Sequence, residues 1–600
     1  MDSDNHATII QKARAYENEY SGTALPELML LSSNTVDSLA PYLLLESVEQ
    51  GYPLKPWVGP FNQFEQVLYD TGSAVWQKNL HGIWLHLRLE DVYPDLVEAY
   101  YREGPGAVRS TFDELLDRLD ALITGFRERT SATLLVSNFH SPLRLSFNIF
   151  DANQDQGLVY LISELNRRLA SLCTRSADTH VFDLAGLVER LGREAWDDPR
   201  LYYMARMGFS QRVLRPLANR LVRSFAAARR TSAKVLVFDL DNTLWGGVLG
   251  DDGIEGIKIG GDYPGNIFAD IQRAALALRA QGYLLAIASK NDRELVLQAF
   301  QEHPDMLLKE DDFSSIHCHW EPKTISLPHI ADELNLGLDS FVFIDDNPVE
   351  RNMVRSALPD VRVMELPPEP WNYLAALLNF PGLDRPRLSS EDLQRADMYQ
   401  QEAKRTRTRS QVSSMEEFLS GLEMKATVGT MNRTTEERIF QLINKTNQFN
   451  LTTRRHSLDT LRRFAQQDSA EVFWLRLVDR FGELGLIAVG IVIEEQPQIW
   501  GIDTFLMSCR VMNREIESSF LAYVTSQLRN RGAKELRGYY SPTKRNHIVR
   551  DFYSEQGFDA VENRASGERV FRLVLAETQV PVWAGFIEQT TRPNVRKFHA

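Results

Sequence analysis

Residues 235–247 read VLVFDLDNTLWGG, an apolar run that ends in Asp239 and Asp241, one residue apart. A short continuous apolar run of this kind reads as a fully buried strand. In an open α/β sheet the ligand crevice lies at the carboxyl ends of the strands, so carboxylates placed directly after the run stand at the reactive edge. Two further runs share the pattern: LLAIASKN follows the helical stretch IFADIQRAALALRAQG, and SFVFIDDNP follows ISLPHIADELNLG. Strand and helix take turns, which predicts a parallel α/β unit starting near Lys234. Its three strand ends carry Asp239 and Asp241, then Ser289, Lys290 and Asn291, then Asp345 and Asp346, with Lys323 in the approach to the third. Phosphoryl transfer needs this set. One carboxylate attacks phosphorus, a second two residues on serves the leaving oxygen as acid, and others hold Mg2+. A hydroxyl and an ammonium neutralise the transferring oxygens.

Outward from this block the chain divides further. From about residue 25 to 225, LPELMLLSS, GIWLHLRLE, SATLLVSNF and DTHVFDLAG alternate with helical stretches such as TFDELLDRLDALITGF, predicting another parallel α/β sheet. The pattern fails over LDRPRLSSEDLQRADMYQQEAKRTRTRSQVSS, read as a charged helical linker whose KRTRTR cluster is a solvated face. The last block has strands EVFWLRLVD and LGLIAVGIVI and the helix EIESSFLAYVTSQLRNRG. The expected organisation is 1–230, 231–385, a linker 386–412, and 413–600, all α/β. The whole has 600 residues, 43% hydrophobic and 25% charged, with a formal net charge of -14. That composition suits a soluble globular protein, and the acidic field argues against a nucleic-acid partner. No pair of Cys173, Cys318 and Cys509 has metal-ligand or CxxC spacing, which suits a reducing cytosol. The opening MDSDNHATII has no basic or apolar leader pattern, and no run of about 18 apolar residues occurs, so neither secretion nor membrane spanning is expected.

The middle block resembles the haloacid-dehalogenase (HAD) superfamily, whose first motif DxDx(T/V) is matched by Asp239, Asp241 and Thr243. By that resemblance Asp239 is the nucleophile, Asp241 the acid/base and a metal ligand through its carbonyl, Asp345 and Asp346 complete the Mg2+ site, and Ser289 and Lys323 bind the phosphoryl group. DLDNTLWGGVLGDDGIEGIKIG, ASKNDRELVLQAFQEHPDMLLKEDDF and LNLGLDSFVFIDDNPVERNMVRSALPDV are similar to FkbH-like proteins of polyketide biosynthesis, as are WVGPFNQFEQ, LYYMARMGFS and TNQFNLTTRR elsewhere. The resemblance implies a cytoplasmic enzyme that takes the acyl group of 1,3-bisphosphoglycerate, removes its phosphate and loads a glyceryl unit onto an acyl carrier protein.

SPTKRNHIVRDFYSEQGF, with Asn546, Phe552, Tyr553, Gly557 and Phe558, resembles the late motif of GNAT acyltransferases and implies acyl or pantetheine contacts from Arg510, Asn546 and Tyr553. The glycines of the GNAT phosphate loop are missing: the stretch reads Arg510, Val511, Met512, Asn513, Arg514, Glu515. Backbone N–H groups cannot approach a pyrophosphate as closely there, and Glu515 would repel it. Carrier-borne pantetheine is then the expected ligand rather than coenzyme A. Cys509, beside Arg510 at a strand-to-helix junction, is the candidate thioester-forming nucleophile. Cys318 in SIHCHW is its competitor. With strand residues alternating between faces, His317, Cys318 and His319 are not read as a metal site. His547 reads as a surface histidine.

The first block resembles an SGNH hydrolase, with Ser32 and Ser33 after its first strand and Asn138 after a later one. DDPRLYYMARMGFS has no histidine three residues after an aspartate, so a degenerate or carrier-docking domain is expected. Two other readings remain: a stand-alone HAD phosphatase of small phosphometabolites, and a non-catalytic carrier-binding scaffold.

Overall fold

The computed structural model describes residues 6–591 apart from 71, 73–75, 77–79, 142–147, 231, 389–391, 394–397, 400, 402–404, 406–407, 410–411, 413, 447, 509–510, 544, 565–566 and 576–580. It falls into two compact units, Met1–Ala396 and Asp397–Ala600. Among the described residues no helix is long and apolar enough to cross a membrane.

The first unit holds two parallel sheets. One consists of β1 (Glu27–Ser32), β2 (Lys55–Val58), β3 (Leu80–His86), β4 (Thr133–Ser137) and β5 (Thr179–Phe182), in the order β2-β1-β3-β4-β5. Its strands are apolar on both faces because helices cover both. Along β1, Met29 and Leu31 join the core beneath α1 (Pro105–Arg129), while Leu28 and Leu30 join the opposite core beneath α2 (Leu214–Arg229). The period of two in side-chain direction thus serves two cores with one strand.

The second sheet contains β6 (Val235–Phe238), β7 (Leu284–Ser289), β8 (Phe313–Cys318), β9 (Phe341–Ile344) and β10 (Arg362–Val363), in the order β10-β9-β6-β7-β8. The helices α3 (Gly265–Ala280), α4 (Arg293–Glu302), α5 (Lys323–Leu334) and α6 (Pro348–Ala357) connect it. The sequence reading missed β8, FSSIHC, because its alternating polar residues look like loop; it is an edge strand, where one face meets a helix rather than a full core. Placing β6 in the centre, flanked by β7 and β9, brings all three polar strand ends to one side.

The second unit is a mostly antiparallel sheet. It comprises β11 (Lys425–Thr430), β12 (Phe449–Asn450), β13 (Ala470–Asp479), β14 (Gly482–Gln496), β15 (Ile499–Met507), β16 (Glu535–Tyr540), β17 (Asp559–Asn563), β18 (Arg569–Val574) and β19 (Glu588–Thr591). β15 and β16 run parallel, joined through α7 (Ile516–Asn530), and pair only over Ile499–Ile502 and Glu535–Gly538. The linker expected to be solvated is not so throughout. Arg405, from the KRTRTR cluster, is 1% exposed and forms two hydrogen bonds of 2.6 and 2.7 Å with the equally buried Asp479. Its guanidinium fork matches the carboxylate, so its place is in the core of this unit.

Candidate active site

β6 delivers its carboxylates by simple continuation of the sheet: the Asp239 N–H donates to the Ile344 carbonyl at 2.9 Å. The chain then turns back on itself. Asn242 takes φ 54°, and the Thr243 and Leu244 N–H groups both return to the Leu240 carbonyl. This turn leaves Asp239 and Asp241 on the same edge with different surroundings.

Asp241 is held on three sides. Its Oδ1 accepts from Trp245 Nε1 at 2.9 Å and Leu249 N at 3.1 Å, and its Oδ2 accepts from Asn291 Nδ2 at 2.9 Å. Asn291 also reaches Ser289 Oγ at 3.3 Å, so the second strand end positions the first. Asp239, 8% exposed, instead meets Lys323 Nζ at 2.8 Å through Oδ1. The same ammonium lies 2.6 Å from Asp345 Oδ2. Carboxylate oxygens of Asp239, Asp345 and Asp346 all lie within 4.8 Å of one another. The 345–346 turn is braced from behind: Thr243 Oγ1 accepts from Asp346 N, Asp345 Oδ1 accepts from Asn347 N, and Arg351 donates to the carbonyls of Asp345 and Asp346 at 2.8 and 2.7 Å.

The electrostatics follow from this crowding. Burial and the neighbouring Asp239 push the Asp345 carboxyl up to about 6, against the pull of Lys323. Asp346 is raised for the same two reasons. Burial alone would lower the Lys323 ammonium, but Asp239 and Asp345 outweigh it and raise it. Three carboxylates and one ammonium leave an excess of negative charge around a cluster of hard oxygen donors. That is the donor set Mg2+ takes.

The structure therefore gathers Asp239, Asp241, Ser289, Asn291, Lys323, Asp345 and Asp346 into one locus. Lys290 does not join it: its ammonium is 2.6 Å from Glu350 on α6. Adjacent strand-end residues point opposite ways, so the neighbour of Ser289 is turned from the site. Cys318 packs into the middle core, and burial pushes its thiol up to about 12, which removes it as a thiolate nucleophile. Arg351, Trp245 and Leu249 were not singled out from the sequence. They act on the site through hydrogen bonds to its backbone or outer oxygens, and such residues carry no motif spacing.

In the second unit, Cys509 and Arg510 lie outside the described residues. Asn546 and Tyr553 are placed inside rather than on a binding surface. Asn546 is fully buried and donates to the carbonyls of Asn450 and Ser541, both at 2.9 Å. Tyr553 is 1% exposed among Phe552, Phe558 and Phe571, and burial raises its phenol. Glu515 stands exposed at the start of α7 with φ 59°, and His547 is exposed. In the first sheet, Ser33 Oγ donates to Asp91 Oδ2 at 3.1 Å and Ser32 Oγ to Asn34 Oδ1 at 3.0 Å. Asn138 clamps the turn after β5, donating to Asp183 and accepting from Ala185 N. Among the described residues neither serine bonds an imidazole, and Asp198 caps a helix through Leu201 N.

Residues 27–224 match the family described as FkbH, N-terminal domain. Among solved structures, the chain resembles the N-terminal part of the protein BF1531 from Bacteroides fragilis, which contains a phosphatase domain and was crystallised with Mg. The identity is 28% and the TM-score 0.54, over 64% of this chain and 100% of that one. A ribosomal-protein-S18-alanine N-acetyltransferase from Escherichia coli is 12% identical, with TM-score 0.20 over 25% of this chain and 94% of that one. A GNAT-family acetyltransferase from Staphylococcus aureus is 11% identical, with TM-score 0.20 over 25% and 99%. No curated protein matches this chain. The FkbH N-terminal domain thus lies in the first third of this chain, and the likeness to a phosphatase-containing chain extends over 64% of its length.

Proposed function

We propose that this protein is an FkbH-like, Mg2+-dependent phosphoryl-transfer enzyme that prepares a glyceryl unit and loads it onto an acyl carrier protein in polyketide biosynthesis. The observation that carries the first half is the convergence of Asp239, Asp345 and Asp346 within 4.8 Å, with Lys323 bridging two of them. A buried cluster of like charges has no structural merit without a cation and a substrate to neutralise it.

Asp239, Asp345 and Asp346 would hold Mg2+, and the ion supplies charge neutralisation for the transferring phosphoryl oxygens. Lys323 engages Oδ1 of Asp239, which assigns attack on phosphorus to Oδ2. The phosphorus–oxygen bond to the substrate breaks as an aspartyl-phosphate forms. Asp241, oriented by Trp245, Leu249 N and Asn291, gives a proton to the departing oxygen. It then takes the proton from the water that releases phosphate from Asp239. Ser289 and Lys323 hold the non-bridging oxygens.

For the second half, the reading places Cys509 as acceptor of the acyl group of 1,3-bisphosphoglycerate. Its thiolate attacks the acyl carbon and phosphate leaves; Asp239 then removes the remaining phosphate; the carrier thiol attacks the thioester and frees Cys509. Family resemblance and the FLMSCRV sequence support this step. The test incubates full-length protein with Mg2+, 1,3-bisphosphoglycerate and phosphopantetheinylated carrier protein, read by intact-mass spectrometry. Glyceryl-carrier is expected from wild type, carrier-free phosphoglyceryl-enzyme from Asp239→Asn, and no enzyme adduct from Cys509→Ala. An undiminished adduct on Cys509→Ala removes that cysteine, and phosphate release from many phosphometabolites with no carrier loading makes the protein a stand-alone phosphatase.

A further inference from the structure

The alternation that argued against a His317, Cys318, His319 triplet sends Cys318 into the core and sets the two histidines on the opposite face of β8. That face meets α5. His317 Nε2 is 3.0 Å from Glu333 Oε1, Ser315 Oγ donates to Glu333 Oε2 at 2.5 Å, and His319 Nε2 is 3.2 Å from Ser326 Oγ. Ser326, His329 and Glu333 are three and four residues apart on α5 and share one side of it. The rings of His317 and His319 have centroids 5.9 Å apart, and those of His317 and His329 are 6.2 Å apart. His319 Nδ1 is buried without a hydrogen-bond partner among the described residues.

We propose that His317, His319, His329 and Glu333 form a second metal site, for a divalent transition ion of the Zn2+ class, separate from the carboxylates at Asp239. Imidazole nitrogens bind such an ion at about 2.0–2.1 Å, which sets ring centres around one tetrahedral ion at about 5 Å. In the structure His317 and Glu333 already meet, and side-chain rotation of His319 and His329 toward them is what binding an ion requires. Three imidazoles and a carboxylate select a borderline ion over Mg2+, which takes oxygen donors. Two ligands come from His317 on β8 and His319 just past its end, and two from helix positions i and i+4, so the ion ties the end of β8 to α5. Both elements serve the phosphoryl site. α5 begins with Lys323, and the His319 N–H donates to the Ser289 carbonyl at 3.2 Å. The site's role is to hold those two groups in register.

The experiment uses untagged full-length protein, stripped with chelator and titrated with Co2+ in excess Mg2+, which fills the carboxylate site. Expected are one Co2+ per chain with the visible absorption of tetrahedral coordination, displacement by Zn2+, and a rise in the melting temperature. His329→Ala, at an exposed position, should weaken Co2+ by more than about tenfold and abolish the thermal shift, and Glu333→Gln should weaken it too. Asp346→Asn should leave the signal intact. Absence of a tetrahedral spectrum overturns the proposal, as does a signal that survives His329→Ala or one lost in Asp346→Asn.

Discussion

Lys323 stands between Asp239 and Asp345, and its removal exposes what the pair costs. Without the ammonium the two carboxylates face each other in a buried site, and an unpaired buried charge destabilises by about 3 kcal/mol. Lys323→Met is expected to lower the denaturant midpoint at pH 8 in the absence of divalent ions, as well as to abolish phosphate release. Asp345 titrates at about 6 in the folded protein, above its unfolded range. Lys323 holds that value down, so in Lys323→Met the Asp345 carboxyl keeps its proton to higher pH, and the penalty should shrink as pH falls from 8 toward 6. His86 gives the opposite slope. It is 1% exposed, and burial, with His140 and Arg88 nearby, lowers its imidazole to about 3. The unfolded chain binds the proton at about 6.5 and the folded chain does not, so this group's stabilisation is complete above 6.5 and declines as pH falls toward 3. Unfolding of the first unit should show a slope of about 1.4 kcal/mol per pH unit from this group within that window, and His86→Phe should flatten it.

At the scale of elements, the stretch TNQFNLTTRR is explained by β12. Phe449 and Asn450 pair with the end of β15, Leu451 N donates to the Phe505 carbonyl, and Ser541 N donates to the Leu451 carbonyl. The segment thus fills the gap where β15 and the chain beyond β16 diverge, and Asn546 sews it in place through the carbonyls of Asn450 and Ser541. Asn546→Ala leaves two buried carbonyls short of a donor and should cost about 2 kcal/mol, seen as a lower unfolding midpoint with phosphate release unchanged. The sequence led to the expectation of an acyl or pantetheine contact from Asn546; its side chain is instead fully buried and spends its donors on backbone carbonyls. β8 shows the same limit from the other side, since an edge strand facing a helix with serine and histidine lacks the apolar run that marked β6, β7 and β9.

At the scale of the molecule, the two sheets of the first unit are joined by the chain that follows the second. Arg223 on α2 makes two hydrogen bonds of 2.8 Å to Asp384, and Arg387 donates to the carbonyls of Cys173, Ser176 and Thr179 at 2.7 to 2.9 Å. Arg385 lies over the Tyr283 ring at 3.8 Å. Substituting both Arg223 and Arg387 by Ala is expected to split the calorimetric unfolding of this unit into two transitions while Mg2+-dependent phosphate release persists at low temperature. Sequence by itself determined the parallel α/β blocks and the polar strand ends that meet in the middle sheet, because buried strands are written as apolar runs and the residues at their open ends as polar ones immediately after. Only tertiary structure decided which polar residues share a site. Lys290 turns to Glu350, Arg405 and Asn546 go inside, and His317 meets His329 across a strand and a helix, because such pairings depend on side-chain direction and on contacts between residues that spacing along the chain does not encode.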